Sequence, residues 1–300
     1  MIDIDAVRLN FSPESLMLLN AILAIVMFSI ALDLRSSDFR ALLTAPKALL
    51  TGMVSQFLVL PAVTYLMLVA TNPRPSIALG LILVAACPGG NISNFITHRA
   101  GGNAALSVSM TGVATLGAIL LTPVNVAFWG NLYAPTRALL RQTELDPVSI
   151  AITVFFMLIL PLVLGILVNS YRPAWAIRIR KPMQALSMAI FIGFIVLALA
   201  ANWSFFLSHV TAVAGLVVLH NGLALSGGYL MATVMRLSDF DRRAITIETG
   251  IQNSGLGLVL IFAFFGGLGG MAVAAAFWGI WHAISGLAIA GVWSRSEARR

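Results

Sequence analysis

The segment Glu248–Gly255, ETGIQNSG, sets a carboxylate, two carboxamides and a serine in one of the most apolar stretches of the chain. Gln252 stands one helical turn after Glu248, and Asn253 and Ser254 follow it directly. Gly250 and Gly255 flank the group. Glycine weakens a helix, so the segment is expected to unwind. Opened backbone carbonyls, together with Glu, Gln and Asn oxygens, make a hard-oxygen cluster suited to a small cation. The competing reading keeps Glu248 protonated, or hydrated near a membrane surface, since it lies roughly 7–8 Å beyond Arg243 at about 1.5 Å per helical residue.

A second segment has the same character. In ACPGGNISN, Pro88 disrupts the helical ladder and Gly89–Gly90 relax the backbone. Asn91, Ser93 and Asn94 are polar in otherwise apolar surroundings. Further on, Ser107, Thr111 and Thr115 share one helix face at i, i+4 and i+8. Alone these hydroxyls would be read as bonding to their own helix. Beside the Pro-Gly-Gly break, Ser107 and Thr111 become candidate cation ligands.

The elements that must position these groups are membrane helices. Of 300 residues, 59% are hydrophobic and 10% charged, against about a quarter charged in a soluble domain. Nine stretches approach the ~20 apolar residues a span needs: 13–32, 46–70, 77–97, 103–130, 148–170, 183–202, 208–235, 243–265 and 270–293. The seventh has room for a kink at Gly227–Gly228, and the loops near 131–147 and 171–182 are too short to fold alone. Among the acidic residues, Glu248 alone falls well inside a span, where an ionisable group points to function. With the C-terminus cytoplasmic, inner segments carry Arg35, Arg40, Lys47, Arg99, Arg172, Arg178, Arg180, Lys181, Arg236, Arg242, Arg243, Arg295, Arg299 and Arg300. Outer segments carry Arg8, Arg74, Arg137 and Arg141. The positive-inside rule therefore predicts N-out, C-in in a cell (inner or plasma) membrane. The net charge of +7 reflects these loops, because no basic run suggests a nucleic-acid arm. The acidic N-terminus resembles neither a signal nor a transit peptide, so no cleaved segment is expected.

The two interrupted spans are the third and eighth, five helices apart. Gln56 in the second span and His220–Asn221 in the seventh share that spacing. Paired interruptions of this kind point to an inverted-repeat secondary transporter. Nine spans at an offset of five imply that the first repeat lacks its first helix.

CPGGNISN with ALSVSMT, then HNG, IETGIQNSG and WHAISG, resemble the bile acid:sodium symporter family. The resemblance runs in order over nearly the whole chain. It implies an all-α polytopic membrane protein of nine transmembrane helices, with inverted five-helix repeats lacking the first helix, and two broken helices crossing at mid-membrane. Residues 1–300 would form a single transporter domain. Its panel would span about 13–32 and 148–202, and its core about 46–130 and 208–293. One sodium site would use Ser93, Asn94, Ser107, Thr111 and Glu248. The other would use Gln56, Glu248, Gln252 and the carbonyls of Thr249 and Ile251. Two cations would offset the burial of Glu248. Their net positive charge, with the half-helix N-termini, would favour an organic anion near Asn91, Asn253, Ser254 and His282. The family often has Thr where Asn91 stands and Asn where Ala283 stands, which leaves the anion open between bile acids and small carboxylates such as pantoate or a keto acid.

The function implied is sodium-coupled symport of an organic anion by alternating access, with sodium ions, the anion and the lipid bilayer as partners. A proton-coupled transporter of the same fold, and a channel or sensor binding organic anions, are the alternatives. No cofactor, nucleic-acid partner or enzymatic activity is expected. The chain has no Walker loop, nucleophile elbow or metalloenzyme spacing. Cys87, the single cysteine, reads as a packing residue, and His220 as a helix-bonding core residue. Oligomeric state is left open, a monomer being compatible.

Overall fold

The computed structural model describes residues 4–5, 13–32, 46–90, 92–142, 148, 152, 155–201 and 203–297. Among them the regular structure is helical. In order, the helices are α1 (Pro13–Ala31), α2 (Pro46–Thr71), α3 (Pro75–Ala86), α4 (Ile92–Arg99), α5 (Ala104–Leu132) and α6 (Ala134–Gln142). They continue with α7 (Phe155–Tyr171), α8 (Pro173–Ala201), α9 (Trp203–Val234), α10 (Asp239–Gly250), α11 (Ser254–Phe264) and α12 (Gly269–Glu297). Among the described residues, α2, α5, Val213–Val234 of α9 and most of α12 are long and apolar enough to cross a membrane. Large apolar side chains such as Leu58, Leu66, Phe95, Leu120 and Phe128 face outward, as a surface solvated by lipid requires.

The expected third and eighth spans are each two short helices in succession. α3 gives way at Cys87–Gly90 before α4 begins, and α10 gives way to α11 across 251–253. A break strips backbone groups of helical partners, and lipid cannot replace them. α3, the second half of α10 and most of α11 are accordingly enclosed by protein. Every residue from Ser76 to Ala86 is buried, as are Ala244–Gly250 and Ser254–Ile261. α3 and α11, apolar on all sides, are built for that position. Leu79, Leu81 and Leu83 of α3 join Val259 and Leu260 of α11 and Met271 and Trp278 of α12 in the largest core cluster.

The end of α4 and the start of α10 are tied together around the start of α5. Asn103 donates its backbone N–H to Phe240 O (2.9 Å), and its side-chain amide to Asp241 Oδ1 (2.7 Å). Arg243 reaches back to Ala100 O at 2.7 Å. These contacts set α10 against the start of α5, and so fix the height of Glu248 opposite Ser107 and Thr111.

Several segments differ from the sequence expectation. Proline at the first position of a helix costs no hydrogen bond, and α8 starts at Pro173, so much of the expected 171–182 loop is helical. Part of the 131–147 loop is α6, whose Leu140 packs into the core. The helix assignment of α9 runs unbroken through Gly227–Gly228. Gly228 instead permits close approach: a Cβ there would lie 3.0 Å from Ile245 O, Thr246 Cα and Thr249 Cβ of α10. α2 winds as a π-helix over Ser55–Val59. Such bulges are frequent at functional sites.

Candidate functional site

The two breaks meet. Gly90 donates its N–H to Ile251 O at 2.7 Å, and Asn253 donates its own to Pro88 O at 2.9 Å. Gly89 and Gln252 thus oppose each other as an antiparallel bridge between the two breaks. The glycines flanking ETGIQNSG were expected to let the helix open. In the structure Gly250 ends α10, Gly255 lies inside α11, and the opened residues are Ile251, Gln252 and Asn253, none with positive φ. Opening therefore needs no special backbone freedom. Glycine is demanded at Gly89, by proximity: a Cβ there would overlap Glu248 Oε1.

Glu248 is 1% exposed and gathers hydroxyls from two elements. Ser93 of α4 donates to Oε2 at 2.5 Å, Ser107 of α5 to Oε2 at 2.8 Å, and Thr111 of α5 to Oε1 at 2.5 Å. Asn94 Oδ1 lies 2.8 Å from Ser107 Oγ and 3.2 Å from Thr111 Oγ1. Ser93, Asn94, Ser107, Thr111 and Glu248 are therefore one cluster. Each hydroxyl carries a single proton. Ser107 has two acceptors within reach, and Thr111 has three, counting Ser107 O at 3.0 Å. The cluster has more oxygen lone pairs than protons to satisfy them.

A second group adjoins the first through α10. Gln56 Nε2 donates to Gln252 Oε1 (2.6 Å) and Cys87 O (2.9 Å). Gln252 Nε2 donates to Thr249 O (2.7 Å) and Gln56 Oε1 (3.3 Å). Thr249 Oγ1 donates to Ser55 Oγ at 3.1 Å. The π-helical turn of α2 thus places neighbouring Ser55 and Gln56 both towards α10 and the crossing. Gln56, Thr249, Ile251 and Gln252 come together here, and all four are buried.

Of the residues expected near an anion, Asn91 lies outside the described residues. Asn253 is half-buried and caps α11, its Oδ1 accepting from Leu256 N at 3.0 Å. Ser254 begins α11 with its Oγ against Gly279 of α12, and His282 of α12 is buried with no partner for Nδ1. His220 is a buried core residue: its Nε2 pairs with Thr64 Oγ1 at 2.5 Å, and its ring packs at a tilt of 55° against Trp278, with centroids 4.6 Å apart. Cys87 is buried. Among the described residues, no three of His, Cys, Asp and Glu come together as a metal-binding group. The donors are carboxylate, amide, hydroxyl and carbonyl oxygens, the set of a hard cation.

Three contributors escaped sequence reasoning. Ser55 and Ser285 are lone serines in apolar helices, which ordinarily bond to their own backbone. Thr122 donates to Ala86 O, the last carbonyl of α3, at 2.8 Å. The only sequence signals were the adjacency of Ser55 to Gln56 and the presence of Ser285 in WHAISG.

Comparison with known proteins accords with these features. The model of the sodium bile acid symporter family matches residues 20–209. An uncharacterised sodium-dependent transporter of Bacillus subtilis, YocS, is 31% identical over 281 residues, covering 93% of this chain and 83% of that protein. The probable chloroplastic sodium/metabolite cotransporter BASS1 of Arabidopsis thaliana is 32% identical over 285 residues, covering 93% and 67%. A mouse sodium-dependent organic anion transporter is 29% identical over 242 residues, covering 79% and 62%. These relatives are transporters rather than enzymes. With the family match spanning most of the chain, and apolar helices built to lie in a bilayer, this integral membrane protein belongs to the sodium bile acid symporter family.

Proposed function

We propose that the chain is a sodium-coupled symporter of an organic anion, working by alternating access. The observation that carries this reading is the surplus of oxygen acceptors over protons around Glu248. A sodium ion supplies the missing positive charge without requiring a proton donor. Ser93, Asn94, Ser107, Thr111 and Glu248 would hold one ion. Glu248, Gln56, Gln252 and the carbonyls of Thr249 and Ile251 would hold a second. At the second site both amide N–H groups now point at acceptors, so Gln56 and Gln252 would turn their oxygens inward as the ion enters. Ile251 O would serve the ion with the lone pair that Gly90 leaves over.

The anion would sit on the other side of the crossing, near Asn91, Asn253, Ser254 and His282. Because Asn253 spends its oxygen on the cap of α11, its amide N–H groups are left to face an anion. Sodium would tighten the crossing and so complete the anion site. The family membership and the paired breaks support nine spans in inverted repeats, with the N-terminus outside. They also support a core (about 46–130 and 208–293) moving against a panel (about 13–32 and 148–202). The packing of α1 on α7 and α8 fits such a panel.

Uptake into proteoliposomes tests the proposal. Anion accumulation should follow an imposed inward sodium gradient. Accumulation driven equally by a pH gradient in sodium-free medium would replace sodium with protons as the coupling ion. Passive electrical current without accumulation would make the protein a channel.

A further inference from the structure

The last turn of α10 leaves carbonyls without helical partners, as every helix end does. The carbonyls of Thr249 and Gly250, and that of Ile251 just beyond them, each find a different partner. Thr249 O accepts from Gln252 Nε2 at 2.7 Å, Gly250 O from Asn221 Nδ2 of α9 at 2.8 Å, and Ile251 O from Gly90 N at 2.7 Å. Two of these carbonyls, those of Thr249 and Ile251, are the ones proposed above to face sodium. The one between them is held from α9.

Asn221 is 1% exposed and cannot turn its amide over. Gly250 O only accepts, so the NH2 group must face it. The amide oxygen on the other side accepts from Ser285 Oγ of α12 at 2.6 Å. Ser285 therefore braces Asn221, and Asn221 holds Gly250. The other broken helix has a corresponding device of different chemistry. The last helical residue of α3 is Ala86, and its carbonyl accepts from Thr122 of α5. Both half-helices thus end on a donor borrowed from a long neighbouring helix.

We infer that Asn221, braced by Ser285, is a positioning residue for the second cation site: by fixing the Gly250 carbonyl towards α9, it leaves the Thr249 and Ile251 carbonyls to converge on the ion. It touches neither ion nor anion. The inference rests on the sodium-symport reading, and predicts an effect on sodium affinity rather than on anion recognition.

The test uses the full chain, purified for sodium-dependent thermal shifts and reconstituted for uptake. Ser285→Ala should raise the half-saturating sodium concentration about three- to tenfold. Asn221→Asp, which keeps the acceptor for Ser285 but loses the donor to Gly250, should raise it further. Ser285→Thr should restore near-wild-type sodium dependence. Adding Ser285→Ala to Asn221→Asp should change little more, because the serine acts through the asparagine. Anion KM at saturating sodium should move less than about twofold in Ser285→Ala. A purely structural role would lower the sodium-free melting temperature and leave half-saturating sodium unchanged, which would overturn the inference. A wild-type protein with no sodium response would instead overturn the symport reading beneath it.

Discussion

Gly89 lies against the carboxylate of Glu248, so close that one added carbon would overlap Oε1. The contact joins one break to the acid of the other broken helix, and it makes the smallest substitution informative. Gly89→Ala should push the carboxylate away from Ser93 and Thr111. Sodium-driven uptake is expected to fall at least tenfold, which proteoliposome assays would register. Retention of wild-type sodium dependence would mean that the carboxylate works from some other position.

Ser93 and Thr111 donate from different helices to different oxygens of Glu248. Ser93→Ala and Thr111→Val each remove one oxygen from the cluster while largely keeping volume. A hydrogen bond to a charged group is worth about 1.5–3 kcal/mol, or roughly 10- to 150-fold in affinity. Half-saturating sodium, read from thermal-shift titration, should rise within that range, with little change in the maximum stabilisation.

Gln252 lies beyond the hydroxyl cluster, with its amide on Thr249 O and Gln56. Its loss should spare one cation and remove the other. Gln252→Leu is expected to lower the Hill coefficient of sodium-dependent uptake from near two to near one. A coefficient unchanged by this substitution would argue against a separate second ion.

Asn253 and Asn103 both cap helices, each accepting from a backbone N–H three residues on. Replacing an N-cap by Ala costs about 0.5–2 kcal/mol. Both Asn253→Ala and Asn103→Ala should therefore lower the melting temperature. Only Asn253→Ala should also raise the anion KM at saturating sodium, because Asn103 belongs to the separate junction with Asp241 at the start of α10. Equal effects on KM would remove Asn253 from the anion site.

Much of this site was legible in the chain itself. Pro88 with two glycines announces a break, and a lone acid beside Gln252 and Asn253 in an apolar span announces polar work. What was hidden depends on partners distant in sequence. The π-helical turn at Ser55–Val59 has no motif of its own, and its Ser55 and Gln56 meet partners almost two hundred residues away. The glycines were misjudged for a related reason. Gly89 and Gly228 read in sequence as points of backbone freedom, whereas in the structure α10 presses on both, with Glu248 against Gly89 and Ile245, Thr246 and Thr249 against Gly228. α8 was missed at its start because a basic, proline-bearing stretch looks like a loop until its neighbours are known.

The seam where the two breaks meet is made of main-chain atoms, Gly90 to Ile251 and Asn253 to Pro88. Such a joint is largely indifferent to the identity of the side chains displayed beside it. Those side chains can be exchanged by mutation without unpicking the joint, so a lineage can acquire a new cargo while inheriting the same engine.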